Sequence, residues 1–124
     1  MNILLVEDDE NFARLVQLTL ETEGYTVAAA ANGRIALDHI SAAPPEARPD
    51  LIVLDQMMPE MDGIETLHRL KSDEATSHIP VLMLTAIDTD AEVLHAWKAG
   101  VNYYLTKPIN PFDLVTCIQS LFED

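Results

Sequence analysis

Leu51-Ile52-Val53-Leu54 is an unbroken apolar run closed by Asp55. A strand with one face in water alternates apolar and polar side chains, whereas an unbroken run suits a strand covered on both faces of a parallel sheet. The pattern recurs upstream in Ile3-Leu4-Leu5-Val6 and downstream in Val81-Leu82-Met83-Leu84. Tyr25 to Ala29 and Tyr103 to Leu105 are weaker strand candidates that suit the flanks of the sheet. Between these runs the apolar spacing becomes helical. Phe12, Leu15, Val16 and Thr19 fall at i, i+3, i+4 and i+7, and Phe112, Val115, Ile118 and Phe122 form a similar stripe. Three shorter helices are predicted over about 33–42, 63–72 and 89–99. Gly24 and Gly100 stand where a helix closes before a strand, and Asn110-Pro111 reads as a cap with proline at the first helical position. Pro44, Pro45 and Pro49 make Ala42 to Pro49 a loop, because proline cannot continue a helical hydrogen-bond ladder. Strand and helix thus alternate without repeat or linker, which predicts a single doubly wound α/β domain over residues 1–124, with helices on both faces of the sheet.

Composition narrows the function. The 124 residues suit one compact domain, and 48% hydrophobic content is enough for its core. Charge is the unusual quantity, since 21 Asp and Glu against 7 Lys and Arg give −14. So acidic a surface repels phosphate backbones and anionic bilayers, and neither direct nucleic-acid contact nor membrane contact is expected. Cys117 is the sole cysteine, which leaves no internal disulfide or zinc cluster and fits a reducing, cytoplasmic setting. No basic segment precedes a long apolar one at Met1 to Val6, so no secretory leader is expected, and no run approaches the ~18 apolar residues of a membrane span.

In an open parallel sheet, ligands bind beyond the carboxyl ends of the strands. The residues there are Glu7, Asp8 and Asp9 after the first strand, Asp55 after the third, Thr85 after the fourth and Lys107 after the fifth. Any one of them alone reads as a cap or loop residue; their joint placement is what points to chemistry. Carboxylates brought within ~4–6 Å raise one another's pKa unless a cation joins them, and hard oxygen ligands suit Mg2+. Such a site neutralises phosphoryl oxygens and favours phosphoryl transfer to a nearby Asp nucleophile.

Val6-Glu7-Asp8-Asp9, Leu54-Asp55 with Met58-Pro59-Glu60-Met61-Asp62-Gly63, Leu84-Thr85-Ala86 and Tyr104-Leu105-Thr106-Lys107-Pro108 together resemble the receiver domain of two-component response regulators. The resemblance covers nearly the whole chain in the right order. It implies a flavodoxin-like strand order 2-1-3-4-5 and assigns roles by position. Asp55 would be the phospho-acceptor. Asp8 would bind Mg2+ directly, Glu7 through water and Met57 by its backbone carbonyl, with Asp9 in the following loop. Lys107 would pair with the phosphoryl group, the Ala86 backbone would help to bind it, and Pro108 would follow a cis peptide bond. Thr85 would turn toward the phosphoryl oxygen, and Tyr104 would swing in behind it, changing the face formed by helix 4, strand 5 and helix 5. The implied partners are a sensor histidine kinase or phosphotransfer protein, a downstream output domain or protein, and a second copy in a phosphorylation-dependent homodimer.

Several residues depart from the pattern or read as ordinary. Gln56 stands where the family more often has an aliphatic residue, and its amide is either a surface group or a contact for the entering phosphodonor. Met57 and Ile87 are apolar where family members tune their own dephosphorylation, so a long-lived phosphoryl group is expected. His39, His68, His78 and His95 lack metal-ligand spacing and read as surface residues. Trp97 is expected to pack against the sheet, and Asp88-Thr89-Asp90-Ala91-Glu92 to cap a helix rather than bind calcium. A haloacid-dehalogenase phosphatase would need a second Asp at position 57, which is Met. A flavodoxin-like electron carrier would need a glycine- and hydroxyl-containing loop after strand 1, where acids stand instead. A degenerate receiver acting only as a docking module would have lost one of Asp8, Asp55 or Lys107. The reading is therefore a switch rather than a turnover enzyme.

Overall fold

The computed structural model describes residues 1–122; the expected domain also includes Glu123 and Asp124, which lie outside the described residues. Five strands alternate with five α-helices: β1 (Asn2–Val6), α1 (Glu10–Thr22), β2 (Thr26–Ala30), α2 (Gly33–Ala42), β3 (Leu51–Leu54), α3 (Gly63–Ser72), β4 (Val81–Thr85), α4 (Asp90–Lys98), β5 (Tyr103–Thr106) and α5 (Pro111–Leu121). All pairings are parallel, and the order β2-β1-β3-β4-β5 agrees with the expectation. The weaker strands β2 and β5 form the edges. The unbroken runs occupy the centre, where every residue of β3 and β4 is buried.

Alternate residues of the central strands feed two cores, one on each sheet face. Leu4, Val6, Ile52, Leu54 and Met83 meet Ile40, Leu67, Leu70 and Ala96 from α2, α3 and α4. Ile3, Leu5, Leu51, Val53 and Leu82 meet Val16, Leu20, Leu114 and Ile118 from α1 and α5. Each large apolar side chain buried in this way stabilises the fold by about 1.5–3 kcal/mol.

Local chemistry sets the helix ends. Asp9, Asn32, Asp62, Thr89 and Asn110 each accept a first-turn backbone N–H through the side chain. Gly24 and Gly100 have φ of 96° and 100°, and each is followed by a residue whose N–H reaches back to the helix, Tyr25 to Leu20 O and Val101 to Ala96 O. This is the Schellman arrangement, in which glycine takes the left-handed position without a Cβ penalty.

The structure corrects several expectations. Residues 42–49 are not wholly irregular: Pro45–Ala47 form one 3-10 turn, in which proline's fixed φ is tolerated at the start. The buried face of α1 is Ala13, Val16 and Leu20, while Leu15 is 52% exposed; in α5 Phe112 is 66% exposed and Leu114 takes its place in the core. Val16, Val115 and Ile118 of the expected stripes are buried as expected, whereas Leu15, Phe112 and Phe122 are not, because apolar spacing does not say how wide a face the neighbouring elements cover. Trp97 is 49% exposed on α4, where Ala96 alone packs inward.

Candidate functional site

Strand register assembles the site. Val6 pairs with Leu54, so Glu7 and Asp55 leave adjacent strands side by side, and the Asp55 N–H donates to Val6 O at 3.0 Å. Thr85 pairs with Thr106, and the Lys107 N–H donates to Thr85 O at 2.8 Å. Residues far apart in the chain therefore meet at one edge of the sheet.

Glu7, Asp8 and Asp55 each present a carboxylate oxygen within 4.8 Å of the others; Glu7 and Asp55 are buried and Asp8 is exposed. Lys107 Nζ donates to Glu7 Oε1 at 2.6 Å and to Asp55 Oδ2 at 3.4 Å. Asp55 Oδ1 accepts the Gln56 N–H at 2.7 Å, and Glu7 Oε2 accepts the Asp9 N–H at 3.2 Å. Burial pushes the Glu7 carboxyl up to about 7, against the pull of the Lys107 hydrogen bond and with help from the Asp55 charge. Burial works to lower the Lys107 pKa, but the bond to Glu7 and the charges of Asp55 and Glu7 outweigh it and leave the ammonium held above its usual value. Three carboxylates face one ammonium, an excess of negative charge on hard oxygen donors that fits a small divalent cation such as Mg2+ or Mn2+.

The remaining candidate residues lie at and beyond the ends of β3, β4 and β5. Thr85 is fully buried and its Oγ1 accepts the Ile87 N–H at 3.3 Å. The Tyr104 hydroxyl donates to Ile87 O at 2.6 Å. Burial, then the charges of Glu92, Asp88 and Asp55, raise the Tyr104 pKa, which keeps the hydroxyl a donor. Ala86 is exposed beside Thr85, Met57 is 65% exposed, and the Lys107–Pro108 peptide is cis. All four histidines are exposed.

Four contributions are absent from the sequence reading. Asp9, expected as a loop residue, caps α1, a role that the spacing Asp9-x-x-Phe12 signals in principle. Gln56 is half-buried and has a structural role beyond the two alternatives offered for it. Its Oε1 accepts the Ile64 N–H at 2.7 Å and its carbonyl accepts the Gly63 N–H at 2.9 Å, so it ties the strand end to the first turn of α3. Ile87 links Thr85 to Tyr104 through its own peptide groups, which no side-chain pattern can announce. The Phe12 ring lies under Lys107, whose Nζ is 4.5 Å from the ring centroid.

Comparison with known proteins agrees with the fold. The family profile "Response regulator receiver domain" matches residues 3–119. The chain is 39% identical over 124 residues to the alkaline phosphatase synthesis transcriptional regulatory protein SphR of Synechococcus elongatus, spanning 96% of this chain and 48% of that protein. It is 37% identical over 119 residues to the DNA-binding dual master transcriptional regulator RpaA of Synechocystis, again over 96% of this chain and 48% of the relative. Among solved structures, chemotaxis protein CheY4 of Vibrio cholerae superposes with a TM-score of 0.88 at 31% identity, covering 98% of each chain. The Mn(2+)-bound form of response regulator Rcp1 gives 0.82 at 34%, covering 97% of this chain and 90% of that one. The fold and the acidic strand-end cluster define a doubly wound α/β domain with a candidate divalent-cation site, and this chain belongs to the response regulator receiver domain family of two-component systems.

The chain spans about half the length of these two curated relatives. The exclusion of nucleic acid drawn from net charge is not borne out, because RpaA is named a DNA-binding regulator. Charge summed over one domain says nothing of what a neighbouring domain binds. Among the described residues no helix is long and apolar enough to cross a membrane.

Proposed function

We propose that residues 1–124 form a cytoplasmic receiver domain that takes a phosphoryl group on Asp55 from the phosphohistidine of a sensor histidine kinase or phosphotransfer protein. An Asp55 oxygen forms the bond to phosphorus as the donor's phosphorus–nitrogen bond breaks, and the imidazole leaves with the electron pair. Asp8, Glu7, Asp55 and the Met57 carbonyl are the residues that would hold Mg2+, whose charge neutralises phosphoryl oxygens when bound. The observation that carries this reading is Asp55 itself, a buried carboxylate at a strand end, 3.4 Å from Lys107 and clustered with two further acids. Incubation with Mg2+ and acetyl phosphate is expected to add one phosphate-sized mass to the peptide containing Asp55. An adduct elsewhere, or one that forms equally well in excess chelator, would overturn it.

Glu7 makes metal binding pH-dependent. Its carboxyl, near 7 in the folded protein against an ordinary value of 4.5, keeps its proton across that interval. Cation binding needs the ionised form, so affinity rises with pH through about 7 and then levels. Mg2+ is expected to bind about tenfold more tightly at pH 8 than at pH 6, with proton uptake by the buffer at pH 6. Equal affinities at the two pH values, measured by calorimetry, would refute this role for Glu7.

Phosphorylation adds charge and acceptor oxygens, for which Lys107, the Thr85 hydroxyl and the Ala86 N–H would be the partners. When the Thr85 hydroxyl turns to the phosphoryl group, the Ile87 N–H loses its acceptor and the loop that holds the Tyr104 hydroxyl is released. Tyr104 then fills the vacated space, and the face formed by α4, β5 and α5 changes by population shift. Leu94, Trp97, Tyr103 and Phe112 are exposed large apolar residues on these elements, which supports an output partner or a phosphorylation-dependent homodimer there. Thr85→Ala is expected to accept phosphate yet leave the Tyr104 ring resonances unmoved. A wild-type shift of those resonances in the variant would disprove the linkage.

The exposed Met57 and the half-buried Ile87 offer no polar side-chain group to orient an attacking water. That supports a long-lived phosphoryl group, followed as adduct decay after donor removal; loss within seconds would count against it.

A further inference from the structure

We propose that Phe12 is a positioning residue for Lys107, its ring face holding the ammonium where it can pass from Glu7 to a phosphorylated Asp55. The contact is a cation–π approach, with Lys107 Nζ 4.5 Å from the ring centroid. Phe12 stands in the first turn of α1 and is linked to Glu7 through Asp9. Asp9 accepts the Phe12 N–H at 3.1 Å through Oδ1 and donates its own N–H to Glu7 Oε2 at 3.2 Å. Glu7, Asp9, Phe12 and Lys107 therefore close a circuit around the ammonium, completed by the 2.6 Å bond from Lys107 to Glu7 Oε1.

The choice of ring over charge has a physical reason. A fourth carboxylate at position 12 would bind the ammonium by short, directional bonds and hold it away from Asp55. An aromatic face attracts the cation without fixing a donor direction, so Lys107 stays charged and near while its hydrogen bonds are exchanged. The first turn of α1, capped by Asp9, keeps the ring in place through that exchange.

The kinetic part of this inference rests on the phosphorylation of Asp55 proposed above; the placement of Lys107 does not. Three variants separate the two: Phe12→Leu and Phe12→Met remove the ring at similar volume, and Phe12→Tyr keeps it. Wild type and Phe12→Tyr are expected to show ring-current shielding of the Lys107 ε-methylene protons by NMR, lost in Phe12→Leu and Phe12→Met. The rate of Asp55 phosphorylation by acetyl phosphate is expected to fall about fivefold in the two ring-free variants and to recover in Phe12→Tyr. Unchanged Lys107 shifts in both ring-free variants overturn the proposal whether or not Asp55 is phosphorylated. Equal rates in all four proteins, or losses in Phe12→Tyr that match the ring-free pair, overturn it too. A wild type that takes no phosphate, with the shielding pattern as expected, refutes the phosphorylation reading and leaves the placement of Lys107 intact.

Discussion

Asp55→Asn is expected to abolish the phosphate-sized mass gain from acetyl phosphate and Mg2+ while the protein stays folded. An amide of the same size preserves the packing at the end of β3 and can still accept the Gln56 N–H that now meets Asp55 Oδ1 at 2.7 Å. It lacks the anionic oxygen that attacks phosphorus. Burial is the main cause of the raised Glu7 pKa and the Asp55 charge adds to it, so removing that charge is expected to make the Glu7 carboxyl titrate lower in the variant. Lys107 keeps its 2.6 Å partner, which guards against a stability loss. Intact-mass measurement decides the first point and carboxyl NMR titration the second. A persistent adduct in the variant would remove Asp55 from its role.

Gly63→Ala is expected to cost about 3 kcal/mol of stability, a large part of the 5–15 kcal/mol of an ordinary domain. A Cβ at Gly63 would overlap the Asp55 carbonyl oxygen and lie 2.8 Å from Gln56 Cα. Both are backbone atoms at the end of β3, so no rotamer change relieves the overlap. Either α3 moves off the sheet or the strand end bearing Asp55 shifts, and phosphorylation slows even where the fold survives. Gly24→Ala is the comparison. Its φ of 96° carries strain, but nothing lies within 4 Å of the added Cβ, and the expected cost is about 1 kcal/mol. Urea unfolding of both variants checks the contrast; equal costs would mean that backbone strain rather than close approach governs Gly63.

Much of this protein is legible in one dimension. The three unbroken runs fall on the three central strands because burial on both faces removes the need for any polar side chain there. Caps and closing glycines are legible because each acts within a few residues of itself, as Asn110 does for α5 and Gly100 for α4. The acids, hydroxyl and lysine at the strand ends are legible as a set, since a parallel sheet sends all its carboxyl ends to one edge.

What could not be read is whatever depends on packing between elements. Trp97 and Phe112 look like core residues by type and stand exposed, because Ala96 and Leu114 occupy the packed positions. Gln56 looks like a departure from pattern and is a brace, because α3 begins within reach of its amide. Phe12 looks like one member of an apolar stripe, and only the docking of α1 beside β5's end brings its ring to Lys107.

The sequence by itself determined the alternating order of elements, the central strands and the residues that stand at their ends, since periodicity, capping and turn chemistry act over a few bonds. The tertiary structure alone decided that Val6 pairs with Leu54 and Thr85 with Thr106, and hence that Glu7, Asp55 and Lys107 share hydrogen bonds. It also decided that the Ile87 peptide joins Thr85 to Tyr104. Register and helix docking are choices among long-range contacts, made by burial of the two sheet faces together, and no local pattern encodes them.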